Sequence, residues 1–275
     1  MILELLKYLT TPCPRAYRKI GYLSELLGIE ARYARCRTAW QSHIDATRAL
    51  ILEAADLCPQ RRVALIVGSG LCLDVPLADL AARFERVILV DILHVPAMRR
   101  LARRHPNVEL AAVDVTCLVE EVYAAKLKRV ARLPRKEVDL FFDRAVDYVA
   151  SVNILSQLPT MLVDYIIKKN GKFDPEELEA FSQALLRNHL AWLGRFKGVV
   201  SLCTDLKRSY LDAAGTLIEE VDSLFGLKLP YAGRTWVWDI APIPELDPAY
   251  SRENLVLGVL DINDSAAAKG LEVIS

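Results

Sequence analysis

The sequence predicts an α/β protein: a seven-stranded, mostly parallel sheet ending in an antiparallel C-terminal hairpin and preceded by an N-terminal helical extension. Three observations predict it. Val63-Ala64-Leu65-Ile66-Val67 and Val87-Ile88-Leu89-Val90 are unbroken β-rich apolar runs, the pattern of strands buried on both faces of a parallel sheet. Stretches of helical periodicity alternate with such runs, which implies βαβ crossovers. The last two strand candidates, Thr235 to Ile240 and Leu255 to Ile262, are joined by a short Pro-rich loop, so they must be antiparallel neighbours.

The elements follow in order. Ile2, Leu5, Leu6 and Leu9 recur at helical spacing until Pro12 and Pro14 break the pattern, and a second short helix ends at Gly28. From Ile29 to Leu57 the positions Tyr33, Cys36, Trp40, Ile44, Thr47, Leu50, Ile51 and Ala54 form one mostly apolar stripe. This predicts one long helix or two abutting ones. Residues 1–59 therefore read as a helical cap and 60–275 as the sheet domain. The first strand runs straight into Gly68-Ser69-Gly70. Asp74 is expected to N-cap a helix that opens at Pro76 and turns Leu77, Leu80, Ala81 and Phe84 inward. Strand two ends at Asp91. Pro96 opens a helix to about Arg104, and Val108 to Val113 is a third strand ending at Asp114. Residues 118–132 suit another helix, whereas Glu137 to Arg144 carries no clear pattern. Val146 to Val152 is the fourth strand, ending at Asn153. Residues 157–169 and 175–196 are helical, the second opening with Asp174 as cap and Pro175 in its first turn. Val199 to Cys203 is the fifth strand.

Composition narrows the function. Hydrophobic residues make up 53% of the 275 and charged residues 25%, ample material for a core. Lys+Arg and Asp+Glu are both 35, and this balance disfavours nucleic acid as a partner, since phosphate-gripping proteins carry a basic excess. The run Arg99-Arg100 with Arg103-Arg104 reads as a solvated helix face. Six scattered cysteines, with no C-x-x-C pair, argue against a zinc site and against a secreted disulfide framework. The first residues mix an acid and a base into a short apolar run and do not read as a signal peptide. No stretch is apolar enough to span a membrane: Tyr148 to Ile167 is interrupted by Asn153, Gln157, Pro159 and Asp164. A cytoplasmic protein with no membrane partner and no metal is the expectation.

Four features fall at the C-terminal ends of strands, where an open α/β sheet takes its ligand: the Gly68-Ser69-Gly70 turn, Asp91, Asp114 and Asn153. A glycine turn lets backbone approach a ligand and leaves N–H groups pointing outward. Asp91, about 20 residues beyond Gly70, suits two ribose hydroxyls. Asp114 can accept from an exocyclic amine such as adenine's. A nicotinamide fingerprint would need a third glycine where Leu73 stands.

With these residues the sequence resembles the class I S-adenosylmethionine-dependent methyltransferases over about residues 60–262, a Rossmann-like family. Val63 through Gly70 stands for its first motif, Val90-Asp91 for the second, Val113-Asp114-Val115 for the third and Ser151 through Pro159, with Asn153, for the fourth. The resemblance implies S-adenosylmethionine as cofactor, with Gly68, Ser69 and Gly70 at its methionyl part, Asp91 at the ribose, and Asp114 with Val115 at the adenine. Asn153 would lie beside the transferred methyl. Ile66 stands where the family carries an acid and Cys72 where it carries a further glycine. Asp74 is the candidate to replace that acid at the cofactor's ammonium group. The Gly-Ser-Gly-Leu turn also resembles nicotianamine synthases, which transfer an aminocarboxypropyl group from the same cofactor.

The expected activity is methyl transfer to a small molecule or a protein side chain. Aminocarboxypropyl transfer, and a non-catalytic binding or scaffold protein of the same fold, are the alternatives. An acceptor needing deprotonation calls for a base, and His43 and His189 are the candidates. Each has a plainer reading: His43 as a partly exposed helix residue, His189 as a hydrogen-bonded packing residue. Tyr231, Trp236 and Trp238 are candidates to line an acceptor pocket, though strand aromatics more often serve the core.

Overall fold

The apolar run Val63–Val67 forms strand β1, and all five of its residues are buried, as a strand covered on both faces requires. The computed structural model describes residues 2–125, 136–170 and 173–264. Strand β1 is central in an eight-stranded sheet. β2 (Arg86–Asp91) and β3 (Val108–Ala112) extend it on one side, β4 (Val146–Val152) and β5 (Val199–Asp212) on the other. These five strands are parallel. β6 (Leu217–Asp222), β7 (Arg234–Ala241) and β8 (Tyr250–Val259) are antiparallel to their neighbours, and the main order is β3-β2-β1-β4-β5-β8-β7. The first five strands share the order of the dinucleotide-binding sheet; the antiparallel pair replaces its sixth strand.

The expected seven strands are all present, and β6 is an addition. It pairs with the far half of β5, which runs to Asp212 rather than stopping at Cys203. All six β6 residues are exposed, so no burial imposes an apolar pattern on them.

The helices are α1 (Ile2–Thr10), α2 (Arg15–Ile20), α3 (Tyr22–Asp56), α4 (Leu77–Arg83), α5 (Pro96–Ala102), α6 (Val119–Ala124), α7 (Thr160–Asn170) and α8 (Pro175–Leu193). Three expectations change. The N-terminal helix break falls at Gly21, whose left-handed φ of 115° closes α2, and α3 then continues through Gly28. Leu23, Leu26 and Leu27 are buried beside Gly28, and that packing outweighs the roughly 1 kcal/mol a helical glycine costs. Helix α3 kinks at Cys36 instead (φ −104°, ψ 19°). Asp74 does not cap α4, which starts after Pro76 with no side-chain cap; its carboxylate turns to Asn153. The helix expected over 118–132 ends at Ala124 among the described residues, and positions 126–132 lie outside them. Asp174 caps α8 as expected, accepting from Glu176 N–H at 3.0 Å.

Two layers bury the sheet. On one face Leu23, Ile51 and Ala54 of α3 pack with Ile66, Leu80, Leu89, Met98 and Tyr148. On the other, Leu186 and Trp192 of α8 pack with Leu65, Val149, Leu202 and Leu257. A buried Leu or Ile contributes about 1.5–3 kcal/mol, so α3 is held by the core itself. Among the described residues no helix is long and apolar enough to cross a membrane.

Candidate functional site

The strand order reverses between β1 and β4, and the carboxyl ends of those strands open the crevice where such sheets bind ligands. Gly68 follows β1 directly and Asn153 follows β4. Gly68 takes φ 80°, and a Cβ there would sit 2.5 Å from the Val152 carbonyl oxygen, so only glycine fits. Gly68 and Ser69 donate N–H bonds to the Val90 carbonyl at 3.0 and 3.1 Å. Gly70 N–H donates to Asp91 Oδ2 at 2.7 Å, and Ile92 N–H to Asp91 Oδ1 at 2.8 Å. The turn and the acid are thereby locked to each other. Burial pushes the Asp91 carboxyl above its ordinary pKa, with the Gly70 N–H opposing that shift. Ser69 Oγ is buried without a partner.

These residues line a cavity of about 460 Å³, a small-molecule size. At its β2–β3 side lie Asp91, Asp114 and Val115; in the middle, Asp74, Asn153 and His43; at the β5–β8 side, Asp205, Arg208, Arg252 and Asn254. Tyr22, Leu26, Ile29 and Arg32 of α3 cover it. Asp91, Asp74 and Asn153, distant in sequence, are thus brought together.

Asp114 is differently occupied. Its Oδ1 accepts from Thr116 N–H (2.8 Å) and Thr116 Oγ1 (2.6 Å), its Oδ2 from Leu118 and Val119 N–H (both 2.9 Å). A carboxylate offers about four lone-pair sites, and all four are engaged at the start of α6. An adenine amine reaching Asp114 has to displace one of these donors.

Asn153 adopts φ 51°, a conformation asparagine tolerates better than most residues. Its Nδ2 donates to Asp74 Oδ2 at 2.7 Å and lies 3.1 Å from His43 Nε2, while Cys203 Sγ donates to its Oδ1 at 3.1 Å. Burial raises the Asp74 pKa; the hydrogen bond from Asn153 acts against this. His43 is 1% exposed, not the partly exposed residue its helix position implies. Its ring stacks on Trp238 at 3.9 Å, and Trp236 Nε1 donates to its Nδ1 at 3.1 Å. Burial lowers its pKa to about 3. Trp236 takes the one in-plane lone pair of the neutral imidazole, at Nδ1, so Nε2 carries the proton and the ring has no lone pair left to take another from the cavity.

His189 is not brought to the cavity. It is buried on α8, its Nε2 2.9 Å from Ser151 Oγ, with its pKa lowered to about 3 by burial. Trp238 lines the cavity, Trp236 stands behind His43, and Tyr231 packs on the opposite layer. The sequence reading missed Arg32, Asp205, Arg208, Arg252 and Asn254. Alternation along two strands places the last three on one face, a signal legible only once the pairing of β5 with β8 is known.

No protein-family model matches the chain, and no curated protein does. Among solved structures it is similar to a 1,6-didemethyltoxoflavin-N1-methyltransferase from Burkholderia thailandensis, solved with its namesake ligand and S-adenosylhomocysteine. Identity is 16%, coverage 91% of this chain and 92% of that one, and the TM-score 0.37. It is also similar to the N-methyltransferase NodS from Bradyrhizobium japonicum in complex with S-adenosylhomocysteine. There identity is 10%, coverage 80% and 86%, and the TM-score 0.36.

Proposed function

We propose that the chain is an S-adenosylmethionine-dependent methyltransferase that acts on a small molecule. The observation that carries this reading is the lock between the Gly68–Gly70 turn and Asp91 at the switch point of a sheet whose last strands are antiparallel. The residues present fit the cofactor. Gly68 and Gly70 leave backbone open to its methionyl part, Ser69 lines the same space, and Asp91 accepts from the ribose hydroxyls. Asp74 lines the cavity and takes the ammonium group in place of the acid that Ile66 lacks. Val115 packs on the adenine.

Bound, the cofactor supplies a methyl group already activated on a sulfonium. This chain's part is then to align the acceptor and exclude water, effects worth about 7–11 kcal/mol in well-oriented systems. Asn153 is a positioning group beside the methyl, braced by Asp74 and Cys203. An acceptor that must lose a proton finds its base in Asp205, held above its ordinary pKa by burial.

Thermal melting tests the cofactor assignment. S-adenosylhomocysteine should raise the melting temperature of the wild type, and Asp91→Ala should remove most of that rise, a loss of about 1.5–3 kcal/mol per charge-assisted bond. A wild type indifferent to millimolar ligand would sink the assignment.

A further inference from the structure

The β5–β8 side of the cavity is lined with guanidinium groups. Arg208 pairs across the strands with Asn254 and Tyr210 with Arg252. Alternation therefore puts Arg208, Arg252 and Asn254 on one face, and all three line the cavity beside Asp205. Trp238, opposite Asn254 on β7, continues that wall, and Arg32 faces it from α3. Four N–H donors are buried here without a hydrogen-bond partner: the Nε atoms of Arg32, Arg208 and Arg252, and Trp238 Nε1. Folded proteins satisfy the great majority of buried donors, so four in one cavity mark a place built for an acceptor atom.

The charges point the same way. Arg32 lies 3.6 Å from Glu245 Oε1, but Arg35 already holds that carboxylate through two bonds of 2.6 and 2.8 Å. Asp205 also faces the arginines, its carboxyl pushed up by burial against the pull of Arg208 and Arg252. Arg252 is itself pushed down, first by burial and then by Arg208 and Arg32, and Asp205 offsets this only in part, the mark of guanidiniums crowded around too little negative charge. The remaining unpartnered atoms, Asp205 Oδ1 and Asn254 Oδ1, are acceptors suited to an N–H or O–H of the same molecule.

We infer that this end of the cavity recognises an anionic group, a carboxylate or a phosphate, on a small methyl acceptor, held by Arg208 and Arg252 with Arg32 closing over it from α3. Planar guanidinium forks match both anions in a way a point charge does not. That the anion belongs to a methyl acceptor rests on the methyltransferase reading; the anion site stands on its own residues.

Calorimetric titration of the full chain, saturated with S-adenosylhomocysteine at constant ionic strength, tests it with benzoate, phenyl phosphate and uncharged benzamide. One anion should bind saturably and at least tenfold more tightly than benzamide, and which one binds tells carboxylate from phosphate. Arg208→Gln, Arg252→Gln and Arg32→Gln should each weaken that anion at least tenfold while leaving S-adenosylhomocysteine affinity within twofold, which certifies their folding. Arg32→Gln, on a helix, serves if a strand variant does not fold. Benzamide binding as well as the anions, no binding of either anion, or anion binding unchanged in the folded variants overturns the inference. If the anion binds through the arginines but S-adenosylhomocysteine does not bind the wild type, the cofactor reading fails and the anion site remains.

Discussion

Asp74 is set against its own solvation. It lies in the cavity wall with its pKa raised by burial, and the Asn153 bond and the Arg48 charge recover only part of that penalty. A carboxyl whose folded pKa exceeds its unfolded value contributes stability below the unfolded value and loses it as pH rises through the folded one. Measured without cofactor at pH 7, Asp74→Asn should therefore stabilise the protein, by about 0.5–2 kcal/mol in denaturant titrations. The gain should fade as pH approaches 3.8, where the unfolded carboxyl also holds its proton. The same variant should bind S-adenosylmethionine more weakly if Asp74 holds the ammonium group. A destabilised Asp74→Asn at pH 7 would mean that the carboxylate is already well paired. Cys72 poses a related question. It stands where the resembled family carries glycine and adopts the left-handed φ of 52°, which costs a side-chain-bearing residue about 1–2 kcal/mol. That conformation is one glycine adopts freely, and the thiol repays part of the cost by burial.

Helix α6 owes its start to one side chain. Asp114 gathers four donors from Thr116 to Val119, the work of a capping residue placed at a strand end. Asp114→Ala should cost about 1–3 kcal/mol of stability and speed hydrogen exchange over residues 116–124 before it touches ligand affinity. Lost affinity at unchanged stability would instead assign Asp114 to the adenine. This dual capacity of strand-end acids explains what the sequence revealed and what it hid. β1, β2 and β4 are legible because burial on both faces demands unbroken apolar runs. Gly68 is legible because close backbone approach demands glycine. The outer half of β5, with β6, is not, because Lys207 and Glu220 pair on an exposed ribbon where no core enforces a period. The burial of His43 escaped because it depends on Trp236 and Trp238, almost two hundred residues away. Arg208 and Arg252 escaped for the same reason: each looks like an ordinary solvent-facing charge until the register of β5 with β8 is known.

At the scale of the whole molecule, formal charge sums to zero, yet the cavity is polarised. Asp91 and Asp114 lie toward β2 and β3, while Arg208 and Arg252 lie toward β5 and β8. With no net charge there is no monopole field to draw in a charged partner, so discrimination falls largely to contacts made inside. Helix α3 joins the two halves, for its C-terminal part packs in the core and its N-terminal part covers both poles.

The placing of the indole rings has an optical consequence. Of the four tryptophans, Trp40 and Trp238 line the cavity and meet edge to face at 5.0 Å, and Trp236 is bonded to His43 behind them. Trp192 alone lies in the opposite layer, fully enclosed. Its emission should be a constant blue background, and any change in intrinsic fluorescence on adding S-adenosylhomocysteine or an anionic probe should come from the other three. Trp238→Phe should abolish most of that change. A spectrum that ignores a ligand known from calorimetry to bind would locate that ligand away from the indoles. The chain thus carries a gauge of its own occupancy, readable without a label and fast enough to time the arrival of each molecule separately.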